Sequence, residues 1–237
     1  MKIAFLTLLT TLLLFGGENN STKVTPTKAA PTLTKKKPLS VAAKKRAFFQ
    51  KLVPVIEKVY KEQYKEYEDV KKALAEHKDT NKIALLKKRY GVKSDAELLC
   101  ALKPHPVSIA IAQAAMESAW GTSRFFKEAN NIFGVWSTSS KQKRIAAGSK
   151  RGKQTIWLRK FDSLEDAVRD YYFMLSSKKA YRKFKALNCD EKNSVYKILE
   201  GLLPYSERKE EYIKELASII RHNKLTRYDT EVAKKSL

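Results

Sequence analysis

Cysteine, histidine, acidic residues and long apolar runs are all scarce in this chain, and each scarcity excludes something. Cys100 and Cys189 are too few for a disulfide-stapled scaffold, although an oxidising compartment lets them pair if the fold brings them together. Of the three histidines, neither His105 nor His222 has a cysteine or a paired acid at ligand spacing, so no metal site and no cofactor is expected. Asp and Glu number 25 against 48 Lys and Arg, a net charge of +23. A surface this basic draws polyanions through its long-range field, and nucleic acid, anionic lipid and an anionic wall all qualify. Lys-rich, solvated helix faces are the plain alternative. The apolar run Ile3 to Phe15 falls short of the roughly 20 residues that cross a bilayer.

That short run follows Met1-Lys2 and precedes Gly16-Gly17 and a polar stretch, the layout of a secretory signal peptide over residues 1–17. The expected destination is the periplasm or cell envelope, with cleavage and an uncleaved anchor both open. Export removes most of the case for nucleic acid and leaves an anionic envelope surface as a peripheral partner. Residues 18–46 carry eight bases, one acid and few large apolar side chains, so burial cannot offset their ordering entropy; they read as a flexible basic tether.

From Phe48 to Tyr90, apolar residues at three- and four-residue steps predict two or three amphipathic helices, a helical extension over 47–97. Val107 to Trp120 reads as a buried helix stopped by Gly121. A short helix is expected over 123–129, then a strand, a long turn and a returning strand between Ile132 and Phe161. Asp162-Ser163 opens another helix, with Asp166 placed as in a capping box. Further helix follows over 194–199 and 210–222. The fold class is mainly α (α+β), a monomeric domain over 98–228 with a C-terminal tail over 229–237.

Glu117 stands out because it lies in the most apolar stretch after the leader. Desolvation disfavours a carboxylate there and raises its pKa, the state a general acid needs near neutrality; a structural carboxylate near the helix end is the alternative. Gln113, four residues earlier on the same face, is placed to orient Glu117 or to bind sugar.

Three ordered blocks then resemble a known family. Gln113 to Gly121 with Ser123-Arg124-Phe125, Asn130-Asn131-Ile132-Phe133-Gly134-Val135-Trp136, and Phe161 to Tyr171 are similar to the glucosaminidase family, glycoside hydrolase family 73, and within it to the Bax-like proteins. The resemblance covers residues 98–228 and ends near Leu203-Pro204-Tyr205-Ser206, with Tyr212 after it. It implies a lysozyme-like, two-lobed domain with a small β-hairpin lobe. It also implies hydrolysis of peptidoglycan at the β-1,4 bond after N-acetylglucosamine. Glu117 matches the family's acid and Tyr205 the tyrosine beside the reacting sugar, with one residue more than the pattern between Tyr205 and Tyr212. Trp120, Phe133, Trp136 and Tyr171 are candidate sugar platforms, Trp136 foremost, with core packing as the alternative for the others. Asn130 and Asn131 bond either backbone or sugar hydroxyls.

The chain departs from the family where a second glutamate is often found. Residues 137–161 hold eight Lys or Arg and no Asp or Glu, so two-carboxylate hydrolysis lacks its evident partner. Asp162, Glu165 or Asp166 reaching the cleft, the substrate's own 2-acetamido group assisted by Tyr205, and a weakened enzyme remain as explanations. A lytic transglycosylase and a non-catalytic wall-binding scaffold are the rival functions. The basic hairpin is either a clamp for anionic wall groups or a solvated loop.

Overall fold

The computed structural model describes residues 39–151 and 154–236; the expected leader and most of the expected tether lie outside them. A helix, α1 (Val41–Ala75), begins inside the segment read as tether. Its first turn is capped by the Ser40 hydroxyl, which accepts from the Ala43 N–H at 3.2 Å. The two or three helices expected from Phe48 to Tyr90 are α1, a 35-residue rod, and α2 (Thr80–Tyr90), with α3 (Asp95–Leu102) after them. Pro54 removes one i→i−4 bond, yet Phe48, Leu52, Ile56 and Val59 continue one buried stripe across it.

Two apolar clusters share α1. Its second half supplies Val70 to a small cluster with Ile83, Leu86, Tyr90, Leu98 and Leu102 from α2 and α3. Its first half packs on the main core, whose centre is α4 (Val107–Glu117). Every residue of α4 from Val107 to Ala115 is buried, so the helix is wrapped on all sides and delivers Glu117 at its end. The helix stops there, three residues before the Trp120 expected from sequence. Ser118 caps it, and Ala119, Trp120 and Gly121 follow in left-handed conformation at φ 49°, 56° and 74°. Two non-glycine residues in that region cost about 1–2 kcal/mol each, an expense local sequence does not announce.

After α5 (Arg124–Ala129) come β1 (Arg144–Arg151) and β2 (Gln154–Arg159), an antiparallel pair with Ile145 opposite Leu158 and Ala146 opposite Trp157. Ahead of β1, the segment at Val135-Trp136 flanks β2 on its other side, through the Trp136–Leu158 bridge and the Ser137 N–H donating to the Trp157 carbonyl at 2.8 Å. Part of the stretch expected as a long turn is thus β1. Next come α6 (Leu164–Ser177), α7 (Arg182–Cys189), α8 (Val195–Leu199), a 3-10 turn over Glu200–Tyr205, α9 (Glu210–His222) and α10 (Thr226–Ser236). The molecule is therefore mainly helical with a small hairpin, as the residue pattern implied. A disulfide, Cys100–Cys189, ties α3 to α7.

The C-terminal segment is no tail. Within α10, Val232 is fully buried, and Asp229 accepts from the Ser108 N–H at 2.8 Å in the first turn of α4, a helix with no acid of its own there. Among the described residues no helix is long and apolar enough to cross a membrane.

Candidate active site

Glu117 occupies the C-terminal end of α4, where the Ser118 hydroxyl donates to the Ala114 carbonyl at 2.6 Å and accepts from the Gly121 N–H at 2.8 Å. This cross-bracing holds the turn that follows the acid. The turn carries Trp120 away from the sugar-platform role considered for it. Its ring packs edge-on against Phe48 and Phe49 of α1, at 5.4 and 5.7 Å, with Lys45 Nζ 4.4 Å over its face.

The Glu117 residue keeps a partly exposed surface, while the protein around its carboxyl excludes enough water that burial pushes its pKa from 4.5 to about 7. The charge of Glu215 adds to the rise. The Tyr212 hydroxyl and the charge of Arg208 oppose it. Tyr212, from α9, donates to Glu117 Oε1 at 3.0 Å. The other oxygen, Oε2, faces Gly134: a Cβ at that position would lie 3.7 Å from it, and Gly134 has φ +64°. Glycine therefore serves there both by its left-handed backbone and by leaving space beside the carboxyl.

Gln113 is fully buried one turn before Glu117. Its Nε2 donates to the Tyr212 hydroxyl at 2.7 Å, and its Oε1 accepts from the Tyr171 hydroxyl at 2.6 Å. It orients the tyrosine that touches the acid and leaves nothing of itself for sugar. Tyr171 and Phe133 are likewise fully buried, their rings stacked at 3.8 Å, so neither presents a face to a substrate. Tyr205 is also fully buried. Its hydroxyl donates to the Phe133 carbonyl at 3.2 Å, and its ring stacks 5.5 Å from Tyr212. The hydroxyl on the acid is thus that of Tyr212, which sequence reasoning noted only as a position after Tyr205.

Both asparagines bond backbone. Asn131 Nδ2 donates to the Val135 and Arg159 carbonyls at 2.8 Å each and its Oδ1 accepts from the Val135 N–H at 2.8 Å, clamping the Gly134 loop to the end of β2. Asn130, at φ 50°, ends α5 and donates to the Phe161 carbonyl at 3.1 Å. Trp136 alone among the candidate platforms on the hairpin side keeps part of its surface exposed.

The three acids weighed as a second carboxylate are engaged elsewhere. Asp162 pairs with Lys143 at 2.7 Å, Glu165 with Lys58 of α1 at 2.8 Å, and Asp166 accepts from the Ser163 hydroxyl at 2.7 Å. The carboxylate whose field reaches Glu117 is Glu215, one turn after Tyr212 on α9 and paired with Arg208 at 2.6 Å. No local pattern pointed to it. On the hairpin, Arg159 is paired with Asp170 and Arg144 lies 4.3 Å over the Trp157 ring. Among the described residues, no group of three or more His, Cys, Asp or Glu is placed to hold a metal.

Residues 93–225 match the model of a family described as mannosyl-glycoprotein endo-beta-N-acetylglucosaminidase, the glucosaminidase family. The fold is similar to the catalytic domain of the autolysin Auto from Listeria monocytogenes, at 18% identity and a TM-score of 0.51, over 85% of this chain and 100% of that one. It is similar also to an N-acetylmuramoyl-L-alanine amidase from Staphylococcus aureus, at 18% identity and a TM-score of 0.50, over 78% of this chain and 44% of that one. The glycoside hydrolase domain of FlgJ from Salmonella typhimurium aligns at 22% identity and a TM-score of 0.42, over 63% of this chain and 95% of that one. No curated protein matches the chain in sequence.

Proposed function

Since the chain belongs to the glucosaminidase family, whose match at residues 93–225 spans more than half of it, and is a glycoside hydrolase, we propose that it cuts peptidoglycan glycan strands at the β-1,4 bond after N-acetylglucosamine, with Glu117 as general acid. One observation carries the assignment of the acid: a carboxyl held near pKa 7 by burial, with Oε1 engaged by Tyr212 and Oε2 facing the space beside Gly134. In the proposed step Oε2 gives its proton to the glycosidic oxygen as the C1–O bond breaks. The substrate's 2-acetamido oxygen closes on C1 from the other face, and the Glu117 carboxylate then takes a proton from the water that opens the ring. This route needs one enzyme carboxylate and accords with a hairpin that has none. Tyr205, bonded to the Phe133 carbonyl and stacked on Tyr212, steadies the loop beside the acid.

A second reading has its own observation. Glu215 is the acid whose charge is felt at Glu117, and after release from Arg208 it would serve as the base toward water. Loss of activity in Glu215→Gln supports it; activity retained in that variant supports the acetamido route. Export is proposed too: the Cys100–Cys189 disulfide suits an oxidising compartment, in keeping with the leader-like N-terminus.

The deciding experiment digests purified peptidoglycan with the protein and with Glu117→Gln, reduces the products and identifies the new ends by mass spectrometry. Reduced N-acetylglucosamine ends, absent with the variant, are expected. Anhydromuramic ends would establish a transglycosylase instead, and equal cleavage by both proteins would reject Glu117 as the acid.

A further inference from the structure

Behind Glu117 runs a line of buried polar side chains that no sugar can reach. His105, in the segment between α3 and α4, is buried between Tyr172, stacked at 4.2 Å, and the edges of Tyr171 and Phe184. Its Nε2 lies 3.1 Å from the Tyr171 hydroxyl. From there the contacts continue through Gln113 and Tyr212 to the acid, at 2.6, 2.7 and 3.0 Å. The members come from the α3–α4 segment, α6, α4 and α9, so the line crosses the whole core.

Proton counting gives the line a direction. Each phenol has one proton. Tyr171 donates its proton to Gln113 Oε1, so toward His105 it accepts, and Nε2 of His105 carries the hydrogen. Burial holds the imidazole neutral by pushing its pKa down to about 3, and of its two neutral tautomers only the one protonated on Nε2 donates here. With its oxygen occupied, Gln113 presents N–H to Tyr212, and the Tyr212 proton is left for Glu117 Oε1. Turned around, the same line would have Tyr212 donate to Gln113, and Glu117 would have to place its own proton on Oε1, away from Gly134.

We propose that His105, Tyr171 and Gln113 form a positioning chain that keeps the Tyr212 hydroxyl donating to Glu117 Oε1, so that the transferable proton sits on Oε2. The proposal rests on Glu117 being the acid. Removing the hydroxyl of Tyr171 takes away the donor that fixes the Gln113 amide, which is then free to turn its oxygen to the Tyr212 proton. Glu117 then loses its donor and its pKa rises. The other groups that bear on the acid are Glu215 and Arg208 by charge, and Tyr171, Tyr181, Tyr205 and Tyr212, all of which feel its charge. None of the four phenols titrates near neutrality, since burial raises every one.

The test follows the Glu117 carboxyl by 13C NMR titration, assigned with Glu117→Gln, beside the pH profile of kcat on peptidoglycan. Tyr171→Phe should raise the Glu117 midpoint, and with it the alkaline limb of kcat, by about half to one pH unit, whereas His105→Leu, which leaves Gln113 Oε1 as the acceptor for the Tyr171 proton, should not move it. In the parent protein the 15N shifts of His105 should show Nε2 protonated and Nδ1 bare. An unmoved midpoint in folded Tyr171→Phe, or the opposite His105 tautomer, overturns the chain, whatever happens to rate or melting temperature. Should Tyr171→Phe fail to fold, the His105 tautomer decides. If Glu117→Gln cleaves as well as the parent, the assignment of the acid falls, an outcome distinct from an unmoved midpoint.

Discussion

Replacing Glu117 by glutamine should make the protein more stable above neutrality while removing its activity. Burial raises the pKa of the folded-state carboxyl from 4.5 to about 7. Well below pH 4.5 the group is protonated in both folded and unfolded chains and costs nothing by this linkage. As the pH climbs from 4.5 toward 7 the unfolded chain releases the proton more readily, and stability is lost; above 7 the loss is complete. A displacement of this size corresponds to about 3 kcal/mol, an upper bound because the residue keeps some exposed surface. Glutamine avoids the ionisation and keeps an oxygen for the Tyr212 hydroxyl. For a domain of this size the gain amounts to roughly 6–12 °C in Tm at pH 8 relative to pH 4. Thermal and urea unfolding of both proteins across that range, with ΔTm plotted against pH, measures it. A parent-to-variant difference that stays flat from pH 4 to pH 8 would refute the buried-acid reasoning, since a mere change of side-chain packing has no reason to titrate.

Other outcomes follow from single contacts. Gly134→Ala places a methyl group 3.7 Å from Glu117 Oε2 on a backbone at φ +64°; it should cost about 1–2 kcal/mol of stability by denaturant unfolding and lower kcat by a larger factor than that loss explains. Opening the Cys100–Cys189 bridge, which spans 89 residues, should cost about 2–5 kcal/mol, seen as a lower Tm under reducing conditions that Cys100→Ala/Cys189→Ala no longer shows. Gly201→Ala would set a Cβ 2.3 Å from the Phe184 Cα, a backbone atom that cannot step aside, and should destabilise by more than about 2 kcal/mol in the same assay.

What could be read in advance follows the range of the interactions involved. The wrapped helix α4 and the placing of Glu117 and Gln113 on one face were legible because an apolar run is a local signal. Its early stop was not, because left-handed Ala119 and Trp120 are held by Ser118 and by packing on α1 rather than by their own preference. The segment α10 looked like a tail because Val232 is its only large aliphatic residue among the described residues. At the site, the choice between Tyr205 and Tyr212 turned on geometry. A 3-10 turn rolls Tyr205 inward while the start of α9 aims Tyr212 at the acid. His105 read as an isolated histidine, because its partner Tyr171 lies 66 residues further along the chain.

General-acid catalysis by Glu117 is tested most directly by changing how much the leaving group needs a proton. Natural strands leave as a sugar hydroxyl, which requires one; an N-acetylglucosaminide of a dinitrophenol leaves as a stable anion, which does not. Glu117→Gln should lose at least about a hundredfold in kcat/KM on strands, the usual worth of a positioned acid, and far less in the bond-breaking step with the dinitrophenyl glycoside. Equal losses on both substrates would contradict Glu117 as the proton donor.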